Sequence, residues 1–109
     1  YGDRFLKKCF LQTEIHKSEN RRNTIQSYAK RYAAKEACAK ALGTGLAKGV
    51  YWKDIEVSNN NLGKPILTLH NKAAKILNLI SSKNTRVEVS LSDEKNYAIS
   101  NVIIFNDEK

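Results

Sequence analysis

The sequence contains little that could staple, anchor or repeat it. Of its 109 residues only two are cysteine, Cys9 and Cys38. Two lone thiols make neither a disulfide framework nor a zinc site; the ordinary expectation is two small buried side chains in a reduced, cytoplasmic protein. No apolar run approaches the ~18 residues of a membrane span, and the first residues carry no signal-peptide pattern. Internal repeats and low-complexity linkers are missing too, so the length reads as one domain over residues 1–109. There is no G-x-x-x-x-G-K-[ST] run, which excludes a Walker phosphate loop. Neither Ser90 nor Ser92 sits in a G-x-S-x-G elbow, which argues against a nucleophilic hydrolase. His16 and His70 have no partner at metal-ligand spacing and read as surface residues.

What the chain does have is positive charge. Nineteen Lys and Arg against eleven Asp and Glu give a formal net charge of +8. Hydrophobic residues at 41% provide enough core-forming side chains to argue against disorder. The surplus calls for an acidic partner: nucleic acid, anionic lipid, a phosphorylated cofactor or an acidic protein. It is also lopsided. Residues 1–54 carry twelve basic and five acidic side chains, whereas residues 55–109 carry seven and six, so the partner is expected to meet the N-terminal half.

Periodicity gives the organisation. Phe5, Leu6, Cys9 and Phe10 fall on one helical face. The polar stretch from His16 to Asn23 reads as a loop or a frayed end. Thr24 is the expected cap of a helix running to about Leu42 and stopped by Gly43. On this helix Ala29, Ala33, Ala37 and Ala41 form a smooth row for close approach, and Tyr28, Tyr32, Glu36 and Lys40 form a second row. Ile55 and Val57 alternate with polar residues, Asn59 to Pro65 is turn chemistry, and Ile66 to Leu69 returns as a strand. Asn71 to Ile80 is an amphipathic helix. Val87, Val89 and Leu91 alternate, Asp93 to Asn96 reads as a turn, and Tyr97 to Phe105 completes a second hairpin. The expected class is α+β, a small antiparallel sheet with helices packed on it.

The densest polar cluster is Arg31, Lys35, Glu36 and Lys40, followed by Gly43-Thr44-Gly45. Glu36 is either an exposed i,i+4 partner of Lys40 or a partly buried anion that needs a cation. A hard cation such as Mg²⁺ would suit a carboxylate beside a phosphate. In isolation the glycine-rich turn is a helix C-cap, and the helix end there has the wrong sign of partial charge for phosphate. Lys40, a metal ion or outward-facing amides would have to offset it.

The stretch from Arg31 to Ala37, Arg-Tyr-Ala-Ala-Lys-Glu-Ala, followed by Lys40-Ala41-Leu42-Gly43-Thr44-Gly45, closely resembles the signature of the holo-acyl-carrier-protein synthases, the small bacterial 4′-phosphopantetheinyl transferases. Trp52 to Val57 looks like the strand after the signature helix, and Gly63-Lys64-Pro65 matches the family's hairpin turn. Val89 to Asp93, Tyr97 to Ile99 and Val102 to Ile104 resemble its last hairpin, and Phe5 to Ile15 the segment after its first strand. The resemblance implies transfer of phosphopantetheine from coenzyme A to a serine of apo acyl carrier protein, with Mg²⁺, in fatty acid biosynthesis. It implies that Glu36 is a metal ligand and that Lys40 meets the pyrophosphate. Arg31 and Arg22 would lie near the nucleotide phosphates. Gly43, Thr44, Gly45, Gly63, Lys64 and Pro65 would line the nucleotide cleft, with Lys35 among the positive charges around it. Arg4 and Lys8 would meet the acidic carrier. A homotrimer with active sites between subunits is implied as well, with no role for nucleic acid or membrane.

Two departures stand against the family pattern. The family opens with a strand carrying Gly-x-Gly-x-Asp, whose aspartate is a second metal ligand; here that residue is expected upstream of Tyr1. Many members have His where this chain has Asp93, so an imidazole base at that point is excluded. Asp93 then aids the metal site, orients a water or caps the turn, the last being favoured. Two rival readings are a small basic nucleic-acid-binding domain, though no helix-turn-helix, RRM or KH signature is present, and a non-catalytic module that binds coenzyme A or the carrier.

Overall fold

The computed structural model describes residues 2–80, 85–94 and 97–106. Four helices and four strands follow in order: α1 (Asp3–Cys9), α2 (Gln12–Glu19), α3 (Thr24–Ala41), β1 (Ile55–Asn59), β2 (Pro65–Leu69), α4 (Asn71–Ile80), β3 (Thr85–Glu94) and β4 (Tyr97–Asn106). A short 3₁₀ turn, Trp52–Asp54, leads into β1, so Trp52 precedes the strand and does not belong to it. The α+β class holds. The single expected sheet is instead two two-stranded antiparallel sheets, β1 with β2 and β3 with β4.

Three local expectations are corrected. The polar stretch from His16 to Asn23 is helical in its first half, because α2 runs from Gln12 to Glu19 and buries Glu14 and Ser18; residues 20–23 are the expected non-helical connection. Helix α3 is capped by Asn23 and not by Thr24: the Asn23 side chain accepts from Gln26 N at 3.1 Å, the usual reach of an N-cap side chain to the first turn. Asp93 is a strand residue opposite Ala98, since β3 continues to Glu94; of the expected turn, Lys95 and Asn96 lie outside the described residues. At the other end of α3 the expectation stands. Gly43 takes φ +85°, a conformation that costs an L side chain about 1 kcal/mol, and its amide closes on Lys40 O at 3.0 Å.

The core gathers around α3. Cys38, Ala39 and Leu42 pack with Val50, Ile55 and Ala73, while Ala34 meets Val57 and Val89. Toward the N-terminus Tyr28 joins Cys9 and Phe10. Tyr32 stacks on Trp52 with ring centroids 4.5 Å apart, and Phe10 tilts against Tyr28 at 5.1 Å. Both tyrosines therefore face packed surface. Both cysteines are buried free thiols. Burial pushes Cys38 up to about 11 and raises Cys9 as well, so neither is a reactive thiolate. Ala29, Ala33, Ala37 and Ala41 are only half-buried.

Candidate active site

One edge of β1 faces β2, and the opposite edge is covered by charged side chains. Residues 55 and 57 stand opposite Leu69 and Leu67, and groups on that second edge need partners from elsewhere. Lys35 Nζ donates to Ile55 O and, at 3.0 Å, to Trp52 O. Its third partner is Glu14 Oε1 at 2.8 Å, which also accepts from Leu11 N at 2.9 Å. Glu14 Oε2 accepts from Val57 N at 2.8 Å, and Val57 O accepts from Arg31 Nη1. Lys35 is 0% exposed and Glu14 1%. Lys35 is therefore a core residue, which corrects its expected place among charges around a cofactor: all three ammonium hydrogens have partners inside the protein. Burial lowers the pKa of Lys35, and Glu14 opposes that shift. Arg31 is also lowered by burial, again opposed by Glu14.

Beside this network lies a cavity of about 460 Å³ bounded by Arg21, Arg22, Lys30 and Arg31, by Asn23, Gln26 and Ser27 from the start of α3, and by Gly63 and Pro65 from the β1–β2 turn. Four cationic side chains share one hollow. Arg31 is 4% exposed, and its Nε has no hydrogen-bond partner within the described structure. A buried guanidinium nitrogen without an acceptor is costly unless a ligand supplies one. The first turn of α3 adds the positive end of an 18-residue helix. The turn is held by Asn60, whose Oδ1 accepts from Leu62 N and Lys64 N, each at 2.9 Å. Gly63 at φ +87° brings bare backbone to the cavity wall.

A second cavity of about 450 Å³ opens between α1 and α3. Aromatic and small apolar residues line it, among them Phe5, Phe10, Tyr28 and Tyr32, and Glu36 is its one acidic group. Glu36 is exposed. It makes no ion pair with Lys40 among the described residues and is not partly buried, so neither of the two arrangements expected for it is found. On α3, Glu36 stands five residues after Arg31, roughly 140° further round the helix and about 7.5 Å along it. The two residues therefore look into different cavities.

The structure thus brings Arg22, Arg31, Gly63 and Pro65 to one cavity and sets Glu36 in the other. Lys40 is exposed one turn beyond Glu36. Gly43, Thr44 and Gly45 line neither cavity: the Gly43 and Gly45 amides close onto helix carbonyls, and the Thr44 hydroxyl donates to Gly45 O at 2.7 Å. Lys64 turns aside to Glu88, 3.3 Å away. Arg4 and Lys8 are exposed on α1. His70 is not a lone surface residue, because its Nε2 lies 2.9 Å from Glu56 Oε1. Among the described residues no three His, Cys, Asp or Glu side chains converge as a metal site. One free carboxylate with open surroundings suits an Mg²⁺ ion that keeps several waters and takes its other ligands from substrate phosphates. Sequence reading missed Arg21, Lys30 and Glu14. Arg21 and Lys30 adjoin residues already singled out. Glu14 had one signal, an acid set between Phe10, Leu11 and Ile15.

The sequence matches the model of the 4′-phosphopantetheinyl transferase superfamily over residues 1–102. A holo-[acyl-carrier-protein] synthase of Beijerinckia indica is 48% identical over 106 residues, 95% of this chain and 76% of that protein. The crystal structure of holo-[acyl-carrier-protein] synthase from Neisseria meningitidis is similar with a TM-score of 0.84 at 31% identity, covering 97% of this chain and 83% of the other. The Helicobacter pylori synthase, solved in complex with coenzyme A, has a TM-score of 0.77 at 27% identity, over 94% and 82% of the two chains.

Proposed function

The chain belongs to the 4′-phosphopantetheinyl transferase superfamily, and from that premise we propose how its two cavities carry out the family's chemistry. It is a transferase that moves 4′-phosphopantetheine from coenzyme A to a serine of apo acyl carrier protein. The observation that carries the assignment of the site is the arginine-lined cavity with its unpartnered Arg31 Nε. Coenzyme A brings a phosphorylated nucleotide end, and four cations around a bare-backbone turn suit it.

In the reaction the serine oxygen bonds to the phosphorus of the phosphopantetheine. The bond from that phosphorus to the bridging pyrophosphate oxygen breaks, and adenosine 3′,5′-bisphosphate leaves with the bond's electrons. Lys40 stabilises the negative charge that grows on the departing phosphate. Arg22 and Arg31 hold the nucleotide end beside Gly63 and Pro65, and Gly43, Thr44, Gly45 and Lys64, which lie outside that cavity, are given no part in binding it. Glu36 would be a ligand of a bound Mg²⁺, which would supply neutralisation of phosphate charge at the pyrophosphate. A carboxylate, or water ordered by it, accepts the serine proton. Arg4 and Lys8 form a basic stripe on α1 for the acidic carrier, which we assign to fatty acid biosynthesis in the cytoplasm.

Because Arg31 and Glu36 face different cavities of one chain, we assign the complete site to a boundary between subunits of a homotrimer. Coexpression of Arg31→Ala with Glu36→Gln tests this. If each site takes Glu36 from one subunit and Arg31 from another, then at coenzyme A concentrations well below the KM of Arg31→Ala random mixing restores roughly one quarter of the sites from two impaired parents. Recovery no greater than the sum of the parents rejects the shared site. The transferase activity itself is tested by incubating the protein with coenzyme A, Mg²⁺ and apo carrier. The intact mass of the carrier rises by one phosphopantetheine; an unchanged mass defeats the assignment.

A further inference from the structure

The charges against the outer edge of β1 do not balance. Glu14 and Lys35 neutralise each other at 2.8 Å, which leaves the charge of Arg31 in surplus. Arg31 is fixed by the same strand residue that Glu14 fixes: Val57 offers its N–H to Glu14 and its C=O, in the next peptide group, to Arg31. The two bonds use opposite ends of one strand residue, so displacing Glu14 displaces the carbonyl that orients the guanidinium. Lys35 holds the strand two residues earlier through Ile55 O, and it lies one helical turn after Arg31 on the same face of α3. Fixed on one side by Val57 O, the guanidinium keeps its Nε unpartnered within the chain and forms part of the wall of the cationic cavity.

We infer that Glu14 and Lys35 are positioning residues for the phosphorylated end of the co-substrate: the buried pair locks Val57, and Val57 aims Arg31 into the cavity. The inference rests on the reading of that cavity as the nucleotide site. It goes further by giving a role in co-substrate affinity to two residues that touch no substrate. A pair that served only to hold the fold would lower the apparent kcat as active protein was lost and leave both KM values unchanged. A positioning pair affects one constant, the KM for coenzyme A, because the serine-bearing carrier and the carboxylate Glu36 meet other surfaces.

The test uses Glu14→Gln and the charge-balanced double variant Glu14→Gln/Lys35→Gln, with Arg31→Ala as the reference. The single variant leaves a buried cation unpaired and is at risk of unfolding; the double variant removes both charges and keeps amides in reach of the strand. Active-site concentration is set by the fraction of protein with native circular dichroism at 15 °C. In the double variant the KM for coenzyme A rises about 10-fold or more, with kcat within about 3-fold of wild type and the KM for carrier unchanged, a split that marks lost binding rather than lost chemistry. Isothermal titration with adenosine 3′,5′-bisphosphate weakens by a similar factor. Adding Arg31→Ala to the double variant raises KM little further, because both act through one guanidinium. An unchanged KM for coenzyme A in a folded double variant overturns the inference, as do equal losses in both KM values. If both variants are unfolded the pair is a folding element, and the inference is likewise overturned. If Arg31→Ala itself leaves the KM for coenzyme A unchanged, it is the cavity reading that fails.

Discussion

Helix α3 carries two charged faces that differ in almost every physical respect. The face toward β1 holds Arg31 and Lys35, both buried and bonded to strand carbonyls. The outward face holds Glu36 and Lys40, both exposed and without an ion-pair partner among the described residues. The sequence alternates these four residues closely, and nothing in their chemical type separates them. Buried charges must be matched inside the protein, so Lys35 is committed to holding the fold, while Arg31, matched on one side by Val57 O, keeps its Nε for the cavity. Exposed charges without partners contribute little to stability and stay available to ligands. The division of labour along one helix follows from which side meets a strand edge.

Four measurements bear on that contrast. The largest effect is expected for Glu36→Gln, which lowers kcat at least ~10³-fold, about 4 kcal/mol of barrier, while the melting temperature stays within about 1 °C because the side chain is exposed. A melting shift as large as the activity loss would place Glu36 with the structural face. Next comes Lys35→Met, which strands Glu14 as a buried anion and destabilises the fold by roughly 3–5 kcal/mol in urea titrations; a loss under about 1 kcal/mol would erase the distinction. Lys40→Met is expected to lower kcat about 10²-fold with unchanged denaturant midpoint, and near-wild-type turnover would remove it from the chemistry.

The smallest effect concerns Tyr28 at the inner end of the same helix. Burial, reinforced by its 2.7 Å bond to Glu19, pushes its phenol up to about 12. The folded state thus holds this proton more tightly than the unfolded chain, whose tyrosines titrate near pH 10. The contribution is fully present below about pH 10 and is lost as pH rises toward about 12. It is on the order of 2 kcal/mol. Melts of wild type and Tyr28→Phe across that window should converge as pH rises; parallel curves would mean that Tyr28 is not held this way.

Much of the molecule was legible from local pattern. The period-two runs gave both hairpins, the apolar spacing gave α3 and α4, and Gly43 marked a real helix end. These are short-range signals, set by backbone sterics and by which side of an element is apolar. The signature from Arg31 to Gly45 likewise pointed to the family before any fold was seen. Polar segments were read less well. His16 to Glu19 lacks core formers, yet α2 forms because Glu14 finds its partners forty-three positions away at Val57 and on α3 at Lys35. The role of Lys35 was misread for the same reason: a lysine beside a glycine-rich turn looks like a ligand contact until the strand edge it covers is known.

The sequence by itself determined the elements, the family and the residue types available for phosphate chemistry, because those depend on neighbours a few positions apart. Only the tertiary structure decided which charges are spent on the fold and which are left for a ligand. That choice depends on burial, and burial is fixed by contacts between β1, α2 and α3 that are distant in the chain.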